Sequence, residues 1–127
     1  AEALMHGKHV RILPGRDIKL LLDENEIRQI ILNLVRNGMD AMSPGGTITI
    51  STEENEREVI LCIADQGCGI DPGLVELLGT PFVSSKENGV GLGLAVCYSI
   101  AARHGARINF ETGSAGTVFR VYFPKIL

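Results

Sequence analysis

Four short clusters rich in glycine and asparagine occur in a fixed order along this chain of 127 residues. They are residues 33–41 (NLVRNGMDA), 65–70 (DQGCGI), 80–86 (TPFVSSK) and 89–94 (GVGLGL). Glycine lets a backbone turn tightly or approach another group closely, whereas asparagine and aspartate offer polar atoms for binding. One such cluster would be weak evidence. Four of them in this order and spacing restrict both the fold and the kind of site that the chain can form.

A length of 127 residues suits one domain that buries a core without disulfides or a structural metal. The chain is 45% hydrophobic and 21% charged, as globular proteins are, and its net charge of -3 argues against a broad surface for nucleic acid or anionic membrane. Its three cysteines form no C-x-x-C pair, so neither a disulfide framework nor a zinc site is indicated. These features favour a reducing cytoplasm.

The sequence shows no sign of a membrane anchor or a leader. No apolar run approaches the roughly 20 residues of a membrane span, and the N-terminus lacks the pattern of a signal peptide. The chain begins at Ala1, so we expect it to be a piece of a longer protein. If that protein is a membrane sensor, its spans are expected outside this piece.

The hydrophobic pattern predicts about six strands and three helices. The strands are predicted at residues 9–13, 18–22, 47–53, 59–64, 107–112 and 117–123, and the first two are predicted to form a hairpin. The helices are predicted to run from a cap at Asp23 or Asn25 to Met42, over residues 72–78 and over residues 92–104. The polar, glycine-rich stretch from 79 to about 91 is long for a plain connection, which indicates a mobile lid.

Three polar side chains share one side of the first predicted helix. Asn33, Asn37 and Asp40 have the spacing i, i+4 and i+7, and they flank the apolar face of that helix. The alternative is a solvated helix flank, but asparagine is a poorer helix former than glutamate or lysine, so two of them indicate that their amides are used. An amide oxygen also suits Mg²⁺, which prefers oxygen ligands together with phosphates and water.

Asp65 follows a continuous apolar run, residues 59–64, that predicts a central strand covered on both faces. Gly67 and Gly69 would let the backbone turn tightly after it and let a flat base approach. A carboxylate accepts hydrogen bonds and donates none, so Asp65 would select the exocyclic amino group of adenine over the oxygen of guanine. The alternative is an ordinary turn after a strand.

Gly89, Gly91 and Gly93 lie where the last predicted helix begins. They do not match the dinucleotide fingerprint, which needs a preceding strand and a third glycine three residues after the second. Glycines at the start of a helix instead expose backbone N–H groups, which attract phosphates. The alternative is a flexible linker.

The four clusters resemble the N, G1, F and G2 boxes of the GHKL ATPase superfamily, and most closely those of the catalytic, ATP-binding domain of bacterial sensor histidine kinases. The resemblance extends roughly from Val10 to Pro124. The sequence departs from the family pattern at Gly38, where the family usually has alanine, and at Val90, where threonine is frequent. Neither departure indicates a dead site.

The resemblance assigns a role to individual residues. Asn37 would be the Mg²⁺ ligand with Asn33 as a supporting contact, and Thr117 would support the adenine site beside Asp65. Phe82 would anchor the lid and Lys86 would meet the terminal phosphate. The residues that it assigns to ATP binding are Asn33, Asn37, Asp40, Asp65, Gly67, Gly69, Ile70, Phe82, Lys86, Gly89, Val90, Gly91, Leu92, Gly93 and Thr117.

The resemblance also implies a fold and an activity. The fold is the Bergerat α/β (α+β) two-layer sandwich, with a mixed, mainly antiparallel sheet and about three helices on one face. Residues 1–127 would form this one domain, with the ATP lid at about 79–91 and without dimerisation or sensor domains. The domain would bind ATP and Mg²⁺ and donate the γ-phosphate to a histidine on a separate dimerisation domain of the same kinase.

The partners and location follow from the same resemblance. A response regulator would act downstream, and we expect neither nucleic acid nor direct membrane contact. The acceptor histidine and the general base are expected on another domain, so no residue of this chain would be catalytic. The location would be the cytoplasm, with the chain either free or part of a membrane-bound sensor.

Other interpretations remain open. A hydrolytic GHKL ATPase places a glutamate general base where this chain has Asn33, so no residue of the domain would activate water. An anti-sigma-factor serine kinase is closer in size, but the predicted lid looks more like that of a sensor kinase. A non-catalytic nucleotide-sensing or docking module is disfavoured by Asn37, Asp65 and the glycines of the fourth cluster.

Overall fold

The computed structural model describes residues 2–5, 7–13, 22–69 and 90–125. Within these ranges six strands form one sheet and two helices pack against it. The elements are β1 (Glu2–Met5), β2 (Lys8–Ile12), α1 (Glu24–Ala41), β3 (Thr47–Glu54), β4 (Glu58–Ala64), α2 (Val90–Arg103), β5 (Arg107–Gly113) and β6 (Gly116–Pro124). The predicted helix at 72–78 and most of the predicted lid lie outside the described residues.

The sheet has the strand order β1-β2-β3-β4-β6-β5. β2 and β3 are parallel, and the other four neighbouring pairs are antiparallel. Parallel strands need a crossover connection, and α1 lies between β2 and β3 in the sequence. The predicted mixed, mainly antiparallel sheet is therefore confirmed.

The hydrophobic core lies between this sheet and the two helices. In β6 every second residue from Thr117 to Phe123 is buried, and Val59, Leu61 and Ile63 of β4 pair with the buried residues of β6. Residues with period two share one face of a strand, so both strands present this face to the helices. The helices contribute the buried side chains Ile30, Leu34, Leu94, Cys97, Ile100 and Ala101. The predicted α/β sandwich class is confirmed.

The first helix ends where the sequence predicts. Asp23 caps α1, because its side chain accepts a hydrogen bond from Glu26 N at 3.1 Å. The helix ends at Ala41, just before Pro44 and the two glycines that follow it. No helix among the described residues is long and apolar enough to cross a membrane.

The second helix begins earlier than predicted. α2 starts at Val90, not at Leu92, so Gly91 lies inside its first turn and the predicted helix start is wrong by two residues. The first four N–H groups of a helix have no partner within it. The helix is therefore longer at its start than predicted, but the backbone N–H groups of its first turn are still free of partners within the helix, as the sequence predicts.

The structure also changes the predicted opening hairpin. β2 pairs with β1 on one edge and with β3 on the other, so its hairpin partner is β1 and not residues 18–22. Leu22 is not in a strand, and residues 18–21 lie outside the described ranges. β1 was not predicted. Gly7, with a φ of +74°, makes the tight turn between β1 and β2.

The three cysteines have different environments. Cys62 of β4 and Cys97 of α2 are buried, whereas Cys68 is exposed in the turn after β4. Burial raises the pKa of Cys62 and raises that of Cys97 to about 11. The first two thiols are therefore held in their protonated form at neutral pH.

Candidate functional site

Asp65 lies directly after β4, where the strand leaves the sheet. Its Oδ1 accepts hydrogen bonds from Gly67 N at 2.8 Å and from Thr117 N at 3.2 Å. Among the described residues no group donates to Oδ2. Burial raises the pKa of Asp65, and the two backbone hydrogen bonds partly offset that rise. The protein thus fixes the carboxylate through one oxygen and leaves the other as an acceptor.

Two glycines are required by the packing around Asp65. A Cβ at Gly67 would lie 2.7 Å from Ala41 Cβ, so the turn after β4 rests directly on the end of α1. Gly116 has a φ of +144°, and a Cβ there would lie 2.1 Å from Asp65 O. Gly69 lies against Gly113 O of the β5–β6 hairpin. Turn, helix and hairpin therefore form one continuous wall.

Thr117 lies beside Asp65 and is 3% exposed. Besides its N–H, which bonds to the Asp65 carboxylate, its carbonyl accepts from Asp65 N at 2.9 Å. Its Oγ1 lies 2.8 Å from Thr112 Oγ1 on β5. The structure brings Thr117 next to the aspartate, and its role in binding stays a prediction.

The two asparagines of α1 differ in how their amides are used. Asn33 is buried, its Oδ1 accepts from Gln29 Nε2 at 3.1 Å, and its Nδ2 donates to Gly93 O at 3.4 Å. Asn37 is half-buried, and its buried Nδ2 has no hydrogen-bond partner within the described part of the chain. A buried unpaired donor costs about 1–3 kcal/mol, so such a group is expected to have a partner when the site is filled. Asp40 is exposed.

The first turn of α2 packs on these asparagines. A Cβ at Gly93 would lie 3.8 Å from Asn37 Oδ1 and 4.0 Å from Asn33 Cβ. Val90, Gly91 and Leu92 precede Gly93 in the same helix. The free N–H groups at the start of α2 are thereby placed near the asparagine side of α1.

The C-terminal half of α1 separates two polar regions. On one side Gly38 contacts Asp65, since a Cβ at Gly38 would lie 3.0 Å from Asp65 Cβ and 3.3 Å from its Oδ2. On the other side Asn37 faces the start of α2. A hydrogen-bond acceptor for a base and N–H groups for anionic groups therefore lie on either flank of one helix, which suits a ligand with a base at one end and phosphates at the other.

Several predicted residues cannot be placed. Ile70, Phe82, Lys86 and Gly89 lie outside the described residues, and only the backbone is described for Val90, Gly91 and Leu92. Their assignment to ATP binding stays a prediction.

Sequence reasoning missed three polar residues that support the site. Gln29 donates to Asn33, and Gln66 Oε1 accepts from Thr47 N at 3.0 Å at the start of β3. Lys8 Nζ donates to Met39 O at 2.5 Å and so places a cation at the C-terminal end of α1. Gln29 could have been found, because it lies one helical turn before Asn33. Nothing in the pattern of the sequence indicates the partners of the other two.

Comparison with known proteins gives one consistent result. The family described as histidine kinase-, DNA gyrase B-, and HSP90-like ATPase matches residues 22–126. Sporulation kinase C of Bacillus subtilis (strain 168) is 37% identical over 103 residues, which cover 80% of this chain and 24% of that kinase. The chain thus spans about a quarter of the length of this curated relative.

Solved structures of histidine kinases are also similar to this chain. The nucleotide-free catalytic domain of histidine kinase ThkA superposes with a TM-score of 0.80 and 32% identity, covering 91% of this chain and 78% of that one. ThkA in complex with the response regulator protein TrrA gives a TM-score of 0.77 and 28% identity over 94% of this chain and 35% of that one.

Proposed function

The chain belongs to the histidine kinase-, DNA gyrase B-, and HSP90-like ATPase family, and from that premise we propose that it binds Mg·ATP and donates the γ-phosphate to a histidine on a separate dimerisation domain. The match to sporulation kinase C and the likeness to the catalytic domain of ThkA support this activity over that of the hydrolytic members. Residues 1–127 would be the catalytic domain of such a kinase.

The observation that carries the proposal is a pair of unpaired polar atoms on either flank of α1. Oδ2 of Asp65 has no donor and Nδ2 of Asn37 has no acceptor among the described residues. An adenine amino group would supply the first partner. An oxygen of a phosphate or of a water held with it would supply the second.

The donor set fits Mg²⁺. Asn37 offers a neutral amide oxygen beside the start of α2, and Mg²⁺ takes oxygen ligands from protein, phosphates and water together. When bound, the ion would offset part of the negative charge of the triphosphate. Asn37 would hold it, and the free N–H groups at the start of α2 would bind phosphate oxygens.

This chain's residues would bind and orient the nucleotide without activating water. Asn33 stands where hydrolytic relatives have a glutamate, and an amide cannot accept a proton from water. The nucleophile would be a neutral imidazole nitrogen of another domain, which attacks the γ-phosphorus as the bond to ADP breaks and ADP leaves. The dimerisation domain and a downstream response regulator are the proposed partners, in keeping with the solved complex of ThkA and TrrA.

A phosphotransfer assay tests the function. The chain alone should bind ATP yet neither label itself nor release phosphate at a useful rate. Adding the dimerisation domain of the same kinase, in trans or by fusion, should give acid-labile phosphohistidine. Asn37→Ala should abolish that product and should remove the part of ATP affinity that depends on Mg²⁺, because the amide ligand is lost.

Three outcomes would contradict the proposal. Rapid ATP turnover by the pure chain without an acceptor would favour a hydrolytic ATPase. Acid-stable phosphoserine would favour a serine kinase. ATP binding without transfer to any histidine domain would favour a nucleotide-sensing module.

A further inference from the structure

The oxygen and the nitrogen of the Asn33 amide are both hydrogen-bonded within the protein. Its Oδ1 accepts from Gln29 Nε2 at 3.1 Å, and its Nδ2 donates to Gly93 O at 3.4 Å. The Cys97 thiol donates to Ile30 O of α1 at 3.9 Å, and burial raises its pKa to about 11. Asn33 thus differs from Asn37, one turn further along α1, whose buried Nδ2 has no partner among the residues that the structure describes.

The contacts of Asn33 connect α1 to the first turn of α2. Gly93 is the fourth residue of α2, so the hydrogen bond from Asn33 reaches the first turn of that helix. The two helices are also joined at their other ends, where Arg103 pairs with Glu26. A shift at the start of α2 would therefore be opposed by the Asn33–Gly93 hydrogen bond together with the apolar packing of Leu94.

The direction of the Asn33 amide decides whether that connection holds. With Nδ2 facing Gly93 O, a donor meets an acceptor. If the amide turned over, Oδ1 would face the carbonyl oxygen and two acceptors would oppose each other. Gln29 Nε2 donates to Oδ1 and so stabilises the first orientation.

We propose that Gln29 is a positioning residue of the nucleotide site, which fixes the amide of Asn33 and thereby holds the start of α2 where its N–H groups bind the phosphates of ATP. The proposal rests on the proposed function. Gln29 itself is exposed and bonds to Oδ1 of Asn33, whereas Gly93 O bonds to Nδ2, so Gln29 acts through Asn33 and not by touching the nucleotide.

A double-mutant cycle tests this proposal. Gln29→Met keeps the length and the helix propensity of the side chain and removes its donor. ATP affinity, measured by titration calorimetry, should fall about fivefold, the effect expected from losing one neutral hydrogen bond. Adenosine affinity, measured by NMR titration, should change less than about twofold, because adenosine carries no phosphate and needs only the Asp65 side of the site.

The second arm of the cycle shows whether Gln29 acts through Asn33. In an Asn33→Ala background Gln29→Met should have no further effect on ATP affinity, because the group that it orients is gone. The matched control is Asn25→Met, which also replaces an exposed amide side chain of α1, one turn before Gln29, and should leave ATP affinity unchanged. Equal losses from Gln29→Met in both backgrounds, or equal losses of ATP and adenosine affinity, would overturn the proposal.

Two further outcomes are distinguishable. If wild type binds no ATP, the proposed function fails, whereas if wild type binds ATP and Gln29→Met binds it equally well, only the positioning role fails. Should Asn33→Ala not fold, the backbone amide resonances of Gly93 and Leu94 in Gln29→Met replace that arm. Displacement of those resonances supports the proposal, and coincidence with wild type overturns it.

Discussion

Asp65 divides the work of its two carboxylate oxygens. Oδ1 accepts from Gly67 N and Thr117 N, so an asparagine at this position would keep its oxygen there and place its NH₂ group where Oδ2 is now. That NH₂ group would face the adenine amino group, donor against donor. Asp65→Asn should therefore weaken ATP binding more than tenfold in titration calorimetry. Equal affinities in the two proteins would contradict the adenine assignment.

The pH dependence of the same variant gives an independent check. Burial raises the pKa of Asp65 above its ordinary value of 3.8, so the folded chain holds this proton more tightly than the unfolded chain does. The free energy of unfolding of wild type should rise relative to that of Asp65→Asn as pH falls through the raised pKa. That gain should be complete only below the ordinary value and should be lost as pH rises again through the raised pKa. If the free energies of unfolding of the two proteins changed with pH in parallel, the raised pKa of Asp65 would be contradicted.

Gly116 offers a second test at the scale of one residue. A Cβ there would meet Asp65 O at 2.1 Å in a backbone conformation with a φ of +144°, so Gly116→Ala should lower the free energy of unfolding by about 2–4 kcal/mol. For Gly113, which pairs with Gly116 across the same hairpin, no atom of the described residues lies within 4 Å of the position of a Cβ. Gly113→Ala should thus cost less than about 0.5 kcal/mol in urea unfolding. Equal losses of unfolding free energy in the two variants would show that alanine destabilises the hairpin in general and not through the contact with Asp65.

The sequence predicts the local setting of the site residues better than it predicts which groups they contact. It predicts that Asp65 follows a buried strand and that glycines surround it, because strand pattern and turn chemistry are local signals. The helical pattern alone does not separate Asn33 from Asn37, since both lie on the same side of α1, and only the family resemblance gave them different roles. Their difference depends on where α2 packs, and that position is set by contacts distant in the chain.

At the scale of elements, α1 is held at both ends. Asp23 caps its first turn, and the N–H of Asp23 donates to His104 Nε2 at 3.1 Å beyond the end of α2. Lys8 of β2 donates to Met39 O in the last turn. The helix that separates the two flanks of the site is thus positioned by its neighbours as well as by its own sequence.

Capping gives a prediction at this scale. The sequence allowed either Asp23 or Asn25 as the cap of α1, and the structure places Asp23 there. Asp23→Ala should lower the free energy of unfolding by about 1 kcal/mol, because the N–H of Glu26 loses its acceptor. Asn25→Ala should be neutral or slightly stabilising, because alanine is the better helix former. Urea unfolding of both variants measures the difference, and the reverse order would contradict the assignment.

The boundaries of strands and helices were predicted closely where glycine, proline or a capping residue marks the end of an element. The strands β3 to β6 match their predicted ranges within one residue at either end, as do the limits of α1. The start of α2 was placed two residues late, because Gly91 was interpreted as a loop residue although a first helical turn tolerates glycine. β1 was missed because it is four residues long and, among the described strands, pairs with β2 alone.

At the scale of the whole molecule, the order and pairing of the strands could not be predicted from the local sequence pattern. The family resemblance implied the class and the mainly antiparallel character, and local pattern indicated about six strands and three helices. The single parallel pair among the described strands, β2 with β3, depends on α1 crossing between them. Local pattern instead paired β2 with the next predicted strand, because neighbours in sequence commonly pair.

The distribution of the thiols makes the unmodified chain suitable for spectroscopy. Cys62 and Cys97 are buried, and Cys68 is exposed two residues from Gln66 in the turn that follows Asp65. A maleimide dye would thus attach at Cys68 without replacement of the other two cysteines. The label would report from the rim of the proposed adenine pocket, so nucleotide arrival could be followed by fluorescence in real time.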